Sequence, residues 1–254
     1  VRGRTMKNPL RKRILRELRD ELGKYLVIFL LLTATIGFVS GFLVADGSLL
    51  AAYEEGFTLY NIEDGYFDLA KKANKAQIKT MQGWGVQLYE NFYVEKSLTN
   101  GSTLRVFAPR EQVDLVCLMS GSLPRTADEV AIDRMYADNN GLTPGDTLET
   151  EDGRRWTISG LVALSDYSCL FSDNNDSMFD SVKFGVGIVS KDCFDALGTD
   201  QLTYHYAWKY DEPPVDKAAR QDRAEELMKQ MTAEVKLESF VPQYQNQAIT
   251  FTGD

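Results

Sequence analysis

The chain has few residues that could carry out catalysis. His205 is its one histidine and lies in the alternating run Tyr204–Tyr206, so any Ser-His-Asp mechanism has to use it. The sequence contains no GxSxG motif, which would present a nucleophilic serine beside such a histidine. A single histidine on a strand, without a paired nucleophile, is usually structural. The sequence therefore predicts that His205 is not catalytic and that the chain is not an enzyme.

Two short runs resemble ligand-binding motifs without completing them. The run Asp173–Asp176 spaces oxygen ligands as a calcium loop does, but Met178 and Phe184 stand where that loop needs glycine and glutamate. A solvated loop is the favoured interpretation. The run Gly185–Gly187 lacks the third glycine and the following helix of a dinucleotide site, and there is no P-loop. We expect no metal and no cofactor.

The cysteines and carboxylates give no further site. Cys117, Cys169 and Cys193 are widely spaced and form no CxxC motif. The favoured interpretation is that all three cysteines are unpaired and act as small hydrophobic side chains. The alternative is one disulfide with one free thiol. The carboxylates are expected on solvent-facing surfaces, where they indicate no acid–base pair.

The dominant element of the sequence is an apolar stretch near its start. Residues 25–45 are 21 residues without a charge, which as a helix span about 30 Å, the thickness of a bilayer's hydrocarbon core. Only Thr33, Thr35 and Ser40 interrupt it, and such hydroxyls can bond to their own helix backbone. The stretch predicts a transmembrane helix.

The charges on either side of this helix indicate its orientation. Residues 1–24 carry nine Lys or Arg against three acidic residues and predict a basic amphipathic segment at the cytoplasmic face. Because the whole chain has a net charge of −9, residues 25–254 carry −15. An acidic remainder argues against nucleic-acid binding. A cleaved signal peptide is the alternative, but its apolar core is usually only about 7–15 residues long.

One face of the predicted helix is made of small residues. Thr33, Gly37, Gly41 and Ala45 are four residues apart, and Gly37–Gly41 is a GxxxG motif. Small residues let a second helix approach closely. We predict that this face packs against another membrane helix.

The rest of the chain alternates strand and helix patterns, so the predicted fold class is α+β. Residues 46–110 together with 200–240 are expected to form an αβ subdomain, with an Asn-Gly hairpin of type I′ at Asn100–Gly101. Residues 111–199 are expected to form an inserted β-rich subdomain. Residues 241–254 are polar and without pattern, and we expect them to lead to a second membrane span that is missing from the sequence.

Two stretches resemble a known family. The basic helix Lys12–Leu18 running into Lys24–Leu30 resembles the N-terminus of FtsX-like permeases of ABC transporters. Residues 121–162 resemble the MacB-like periplasmic core domain, and the features shared are a G-x-x-P lead (Gly121–Pro124), an EV-I strand (Glu129–Ile132), GL-x-x-GD (Gly141–Asp146) and a V-x-G-I-V-like strand (Trp156–Val162). The resemblance extends over nearly the whole chain.

The resemblance implies a permease subunit in the cell membrane, with its N-terminus cytoplasmic and its main domain extracytoplasmic. Its partners would be a separate cytoplasmic ABC ATPase, a second permease copy or homologue, the lipid bilayer, and an extracytoplasmic protein or peptide. Such permeases export substrates or transmit the movement of the ATPase to the outer domain. Family members carry at least three more membrane helices, so we expect the sequence to be truncated near Asp254. The alternatives are a single-span extracytoplasmic binding or sensor module and, less favoured, an anchored hydrolase.

Overall fold

The computed structural model describes residues 21–198 and 201–251, apart from the side chains of residues 43 and 45–54. The chain divides into two compact units, Val1–Glu55 and Gly56–Asp254. Most of the predicted basic segment, residues 1–24, lies outside the described residues, so it stays a prediction.

A single long helix, α1, runs from Leu22 to Leu59. Its segment Leu22–Phe42 has 21 residues and a mean hydropathy of 2.1, which makes it long and apolar enough to cross a membrane, and none of it is buried. Thr35 Oγ1 donates to the carbonyl of Leu31 at 2.8 Å, so this hydroxyl is satisfied within its own helix.

The unit Gly56–Asp254 is built on a mixed sheet of eleven strands among the described residues. The strands, in chain order, are β1 (Gly65–Leu69), β2 (Val86–Glu90), β3 (Tyr93–Ser97), β4 (Thr103–Phe107), β5 (Val116–Gly121), β6 (Glu129–Asp133), β7 (Thr147–Glu149), β8 (Arg155–Leu164), β9 (Phe184–Val189), β10 (Leu202–Tyr210) and β11 (Leu237–Pro242). Their order across the sheet is β11-β1-β10-β3-β4-β9-β6-β8-β5, with β2 also paired to β10 and β7 to β8. The pairs β4–β9 and β6–β8 are parallel, and the other pairs are antiparallel.

Five further helices lie among the described residues of this unit. They are α2 (Lys75–Gln82), α3 (Arg134–Asn140), α4 (Lys191–Ala196), α5 (Lys217–Glu234) and α6 (Gln247–Thr250), with a 3-10 turn at Gln243–Gln245. Helix α3 ends at Gly141, which adopts a left-handed conformation with φ of 64°. Helix α5 begins after Asp216, whose carboxylate accepts from the amide of Ala219 at 2.8 Å. An apolar helix followed by a mixed α and β domain confirms the predicted fold class.

The apolar side chains on the buried faces of the strands form two main hydrophobic cores. Along β8 the side chains of Trp156, Ile158, Val162 and Leu164 are buried, as the alternation predicts. They belong to a core shared with β3, β4, β6, β9 and Tyr136. A second core joins β1, β2 and β10 to Leu227 and Met231 of α5. Met228 of α5, next to Leu227, is 39% exposed, so it is only partly buried in this core.

Three details differ from the sequence-based expectations. At Asn100–Gly101 only the glycine has positive φ (80°), and the amide of Gly101 donates to the carbonyl of Leu98 at 2.9 Å, so the predicted type I′ turn is wrong. Residues 243–251 are not patternless, because they form the 3-10 turn and α6, with Ile249 1% exposed. Strands β3 and β4 share the core of the predicted inserted block, while the two-subdomain division itself stays a prediction.

Candidate functional site

A polar cavity of about 370 Å³ lies within the folded unit Gly56–Asp254. Strands β1, β10 and β11 supply one side of it, and the segments 166–175 and 245–248 supply another. Its volume falls in the range of small-molecule sites, roughly 300–1,000 Å³. The cavity is the candidate functional site.

Strand register brings a serine, an aspartate and a histidine together in the cavity wall. Asp68 of β1 is paired with His205 of β10 on one side and with Ser239 of β11 on the other. His205 Nδ1 lies 2.7 Å from Asp68 Oδ1, and Ser239 Oγ donates to Asp68 Oδ2 at 2.5 Å. Burial opposes the charge of Asp68, but the ion pair with His205 and the two hydrogen bonds hold its pKa below its ordinary value.

The order of these three residues is wrong for nucleophilic catalysis. In a hydrolase triad the histidine lies between the serine and the carboxylate and removes the serine proton. Here the carboxylate of Asp68 lies between them, and the hydroxyl of Ser239 is used to bond it. The arrangement ties three neighbouring strands together and does not activate Ser239.

The side chain of Arg105 lines the same cavity, and its guanidinium is hydrogen-bonded to neighbouring residues. Its guanidinium lies 4.3 Å from the ring centre of Tyr93 and bonds Glu95 Oε1 at 2.6 Å. Further donations reach Tyr167 Oη and the carbonyl of Ser172, both at 2.7 Å. Each of its three nitrogens therefore has an acceptor.

A cluster of buried charged groups lies behind the cavity wall. Arg110 Nη1 contacts Asp166 Oδ1 at 2.5 Å. Asp114 accepts from the amide of Glu63 at 2.9 Å and from Asn91 Nδ2 at 2.8 Å. Burial, followed by the charge of Asp166, raises the pKa of Asp114 to about 7.

Two members of this cluster, Asp166 and Glu63, also line the cavity. Of the two, Glu63 is the one with a buried oxygen that lacks a hydrogen bond. It is 1% exposed, and its Oε2 finds no hydrogen-bond partner among the described residues. Burial, and next the charge of Asp114, raises the pKa of Glu63 well above its ordinary value. A buried polar atom without a partner costs free energy, so Glu63 destabilises the cavity wall.

The acidic run Asp173–Asp176, considered above as a calcium loop, lies at the edge of the cavity. Its carboxylates accept hydrogen bonds from groups of the same loop. Asp176 Oδ2 accepts from Ser172 Oγ at 2.5 Å and from the amide of Asp173 at 2.9 Å. Asp173 Oδ1 accepts from the amide and the side chain of Asn175. Over residues 21–198 and 201–251, no group of three His, Cys, Asp or Glu side chains is placed to hold a metal ion.

The predicted helix-packing residues lie apart from this cavity, along α1. Ideal Cβ atoms placed at Gly37 and Gly41 meet nothing within 4 Å, and Thr33 is exposed, while the side chain of Ala45 is outside the description. Their packing role stays a prediction. Cys117, Cys169 and Cys193 are free thiols in the structure, and the latter two are buried.

Three acidic residues are buried, contrary to the expectation from the sequence. Glu63, Asp114 and Asp166 are 1%, 0% and 4% exposed, so the expectation of carboxylates on solvent-facing surfaces is wrong for them. They come from loops far apart in the chain and meet only through the sheet, so no local pattern marks them. Asp114 adopts a φ of 50°, a conformation that Asn and Asp tolerate better than most residues.

No family model and no curated protein matches the chain. Among solved structures, the extracellular domain of the noncanonic ABC-type transporter YknZ from Gram-positive bacteria aligns with 70% of this chain and 97% of its own length, at 12% identity and a TM-score of 0.36. The periplasmic region of MacB from Actinobacillus actinomycetemcomitans aligns with 67% of this chain and 85% of its own, at 13% identity and a TM-score of 0.37.

Proposed function

We propose that this chain is the N-terminal part of a permease subunit of an ABC transporter. In this proposal α1 anchors it in the cell membrane, the N-terminus is cytoplasmic, and the unit Gly56–Asp254 is extracytoplasmic. A separate cytoplasmic ATPase supplies the energy, and the outer unit exports a substrate or receives mechanical movement.

The observation that carries the proposal is the placement of charge around the apolar helix. The run Tyr25–Ala45 has no charge, the 24 residues before it carry a net charge of +6, and the residues after it carry −15. Basic residues beside a membrane helix stay on the cytoplasmic side, so the acidic unit is exported. The sequence resemblance to FtsX-like permeases adds the ATPase partner.

Co-purification from the native host tests this function. An affinity tag on the N-terminus of the chromosomal gene product should enrich an ABC ATPase from detergent-solubilised membranes. A tagged, unrelated single-span protein from the same membranes is the control. Failure to enrich any ABC ATPase above that control would contradict the permease proposal.

The cavity favours one second candidate, a single-span extracytoplasmic binding or sensor module. Such a module needs a site of this size in its outer unit but no ATPase. Ligand binding without ATPase co-purification would favour it. The hydrolase alternative has no support in the arrangement of Ser239, Asp68 and His205, and we propose that the chain is not an enzyme.

A further inference from the structure

The segment Tyr60–Asp64 connects α1 to β1, and two distant parts of the folded unit hold it in place. The amide of Leu115 donates to the carbonyl of Tyr60 at 2.8 Å. Gln243 Nε2 donates to the carbonyl of Glu63 at 2.6 Å. The contacts of this connecting segment therefore decide how firmly the chain that leads to α1 is joined to the sheet.

Glu63 of the connecting segment belongs to a buried cluster of four charged side chains. The other three are Arg110, Asp114 and Asp166. The side chain of Arg110 is 2% exposed, and the three acids are no more than 4% exposed. Arg110 Nη1 contacts Asp166 Oδ1 at 2.5 Å, but Arg110 Nε and Nη2, like Glu63 Oε2, have no hydrogen-bond partner among the described residues. The cluster therefore combines three carboxyl groups with one guanidinium.

This composition makes the charge of the cluster depend on pH. With all three carboxyl groups ionised, the cluster would carry a net charge of −2 in a buried position, and an uncompensated buried charge strongly opposes folding. Glu63 and Asp114 are the acids without a cationic partner among the described residues, because Asp114 accepts from the amide of Glu63 and from Asn91 Nδ2 instead. Burial therefore favours a bound proton on these two acids. For Asp114, burial and next the charge of Asp166 raise the pKa to about 7.

The surroundings of the cluster do not supply the missing positive charge. The other titratable groups around it are Lys209, Asp68, His205, Tyr66 and Tyr167. Lys209 opposes the effect of burial on Asp114, but its ammonium donates to the carbonyl of Ile62. Asp68 is negative and is paired with His205. Burial raises the pKa of both tyrosines above its ordinary value, so they stay neutral near pH 7.

We propose that this cluster is a pH-dependent switch that fixes the connecting segment to the sheet. With a proton bound to Glu63 or Asp114, the segment is held. Loss of that proton at higher pH adds a buried negative charge, so the segment separates from residues 110–115 and water reaches the carboxylates. The switch needs only residues of the folded unit, and its failure would leave the proposed membrane orientation and ATPase pairing untouched.

Hydrogen–deuterium exchange of the full chain in a non-ionic detergent tests the switch. Exchange at pH 6 and at pH 8.5 is compared after scaling for the intrinsic rate of each amide. We expect the protection of residues 62–64 and 113–115 to be at least tenfold lower at pH 8.5, while β8 stays at least tenfold better protected than the connecting segment. A smaller fall, or a β8 that loses its protection to the same level, would overturn the proposal.

Two substitutions assign the effect to the cluster. Glu63→Gln and Asp114→Asn each remove one titrating carboxyl group and keep the size of the side chain. We expect the fall in protection to be at least threefold smaller in each variant than in the wild type. Glu151→Gln makes the same change at an exposed glutamate outside the cluster and should show the wild-type fall.

The full wild-type fall in both cluster variants would overturn the assignment to the cluster. If one of the two variants fails to fold, the other decides. If neither folds, the exchange of the wild type at the two pH values decides.

Discussion

At the scale of single residues, Arg110 and Asp166 form the most buried ion pair among the described residues. Their side chains are 2% and 5% exposed. Removing one partner of such a pair leaves a buried charge without compensation. We expect Asp166→Asn to lower the free energy of unfolding by about 3 kcal/mol, measured by urea denaturation.

An exposed pair on the same domain is the control. Arg155 and Glu149 are 3.1 Å apart with side chains 69% and 41% exposed, so Glu149→Gln should cost less than about 1 kcal/mol. Equal losses in the two variants would contradict the importance of burial for the Arg110–Asp166 pair.

The raised pKa of Asp114 predicts a dependence of stability on pH. Its pKa is about 7 in the folded chain against 3.8 in the unfolded one, so the folded state holds the proton more tightly. This contribution is complete below pH 3.8 and is lost as the pH rises through about 7. We expect the wild type to lose about 2–3 kcal/mol more than Asp114→Asn between pH 5 and pH 8, measured by urea denaturation.

Asparagine is a suitable replacement because it tolerates the positive φ of 50° at this position. The same pH slope in wild type and Asp114→Asn would show that other groups cause it.

At the scale of elements, strand β9 depends on its glycines for packing. A Cβ at Gly185 would lie 2.5 Å from Cγ of Tyr136, whose side chain is fully buried. We therefore expect Gly185→Ala to destabilise the domain by about 1–3 kcal/mol, measured by thermal or urea unfolding.

Gly56 provides the control for this substitution. A Cβ there meets nothing within 4 Å, and the residue lies in helix α1, so Gly56→Ala should be neutral or slightly stabilising. Undiminished stability in Gly185→Ala would contradict the tight packing of β9 on Tyr136.

Helix α1 carries the second prediction at this scale. Gly37→Leu with Gly41→Leu would fill the small-residue face and keep another helix at a distance, while membrane insertion stays intact because leucine is more apolar. We expect partial loss of co-purified ATPase and partner subunit. The control is Val39→Leu, on the opposite face of the same helix. Normal assembly in the double variant would show that the glycines have no packing role.

The sequence predicts strands and helices with a regular apolar pattern better than it predicts the residues of the cavity. The strands predicted at Glu129–Ile132 and Trp156–Val162 lie within β6 and β8, because the apolar pattern of a strand is a local signal. The C-terminal segment was missed because only Ala248 and Ile249 are buried among polar neighbours. The cavity was also missed, since Asp68, His205 and Ser239 meet only through strand register across three distant segments.

At the scale of the whole molecule, a permease subunit of the proposed kind must expose its N-terminus to the cytoplasm and its folded unit to the outside of the membrane. Exposure is measurable with a membrane-impermeant maleimide applied to intact cells. Met178 is 80% exposed in the folded unit, and Lys7 lies in the basic leader. A cysteine at position 178 reports the side to which the folded unit is exposed. A cysteine at position 7 reports the side to which the N-terminal basic segment is exposed. Cys117→Ser removes the partly exposed native thiol, and Cys169 and Cys193 are buried.

The labelling of Met178→Cys and Lys7→Cys, each in the Cys117→Ser background, is the most direct test. We predict that Met178→Cys is labelled in intact cells, whereas Lys7→Cys is labelled only after the cells are permeabilised. The Cys117→Ser chain alone gives the background signal. Labelling of Lys7→Cys in intact cells, with Met178→Cys protected until permeabilisation, would contradict an extracytoplasmic domain and the permease proposal with it.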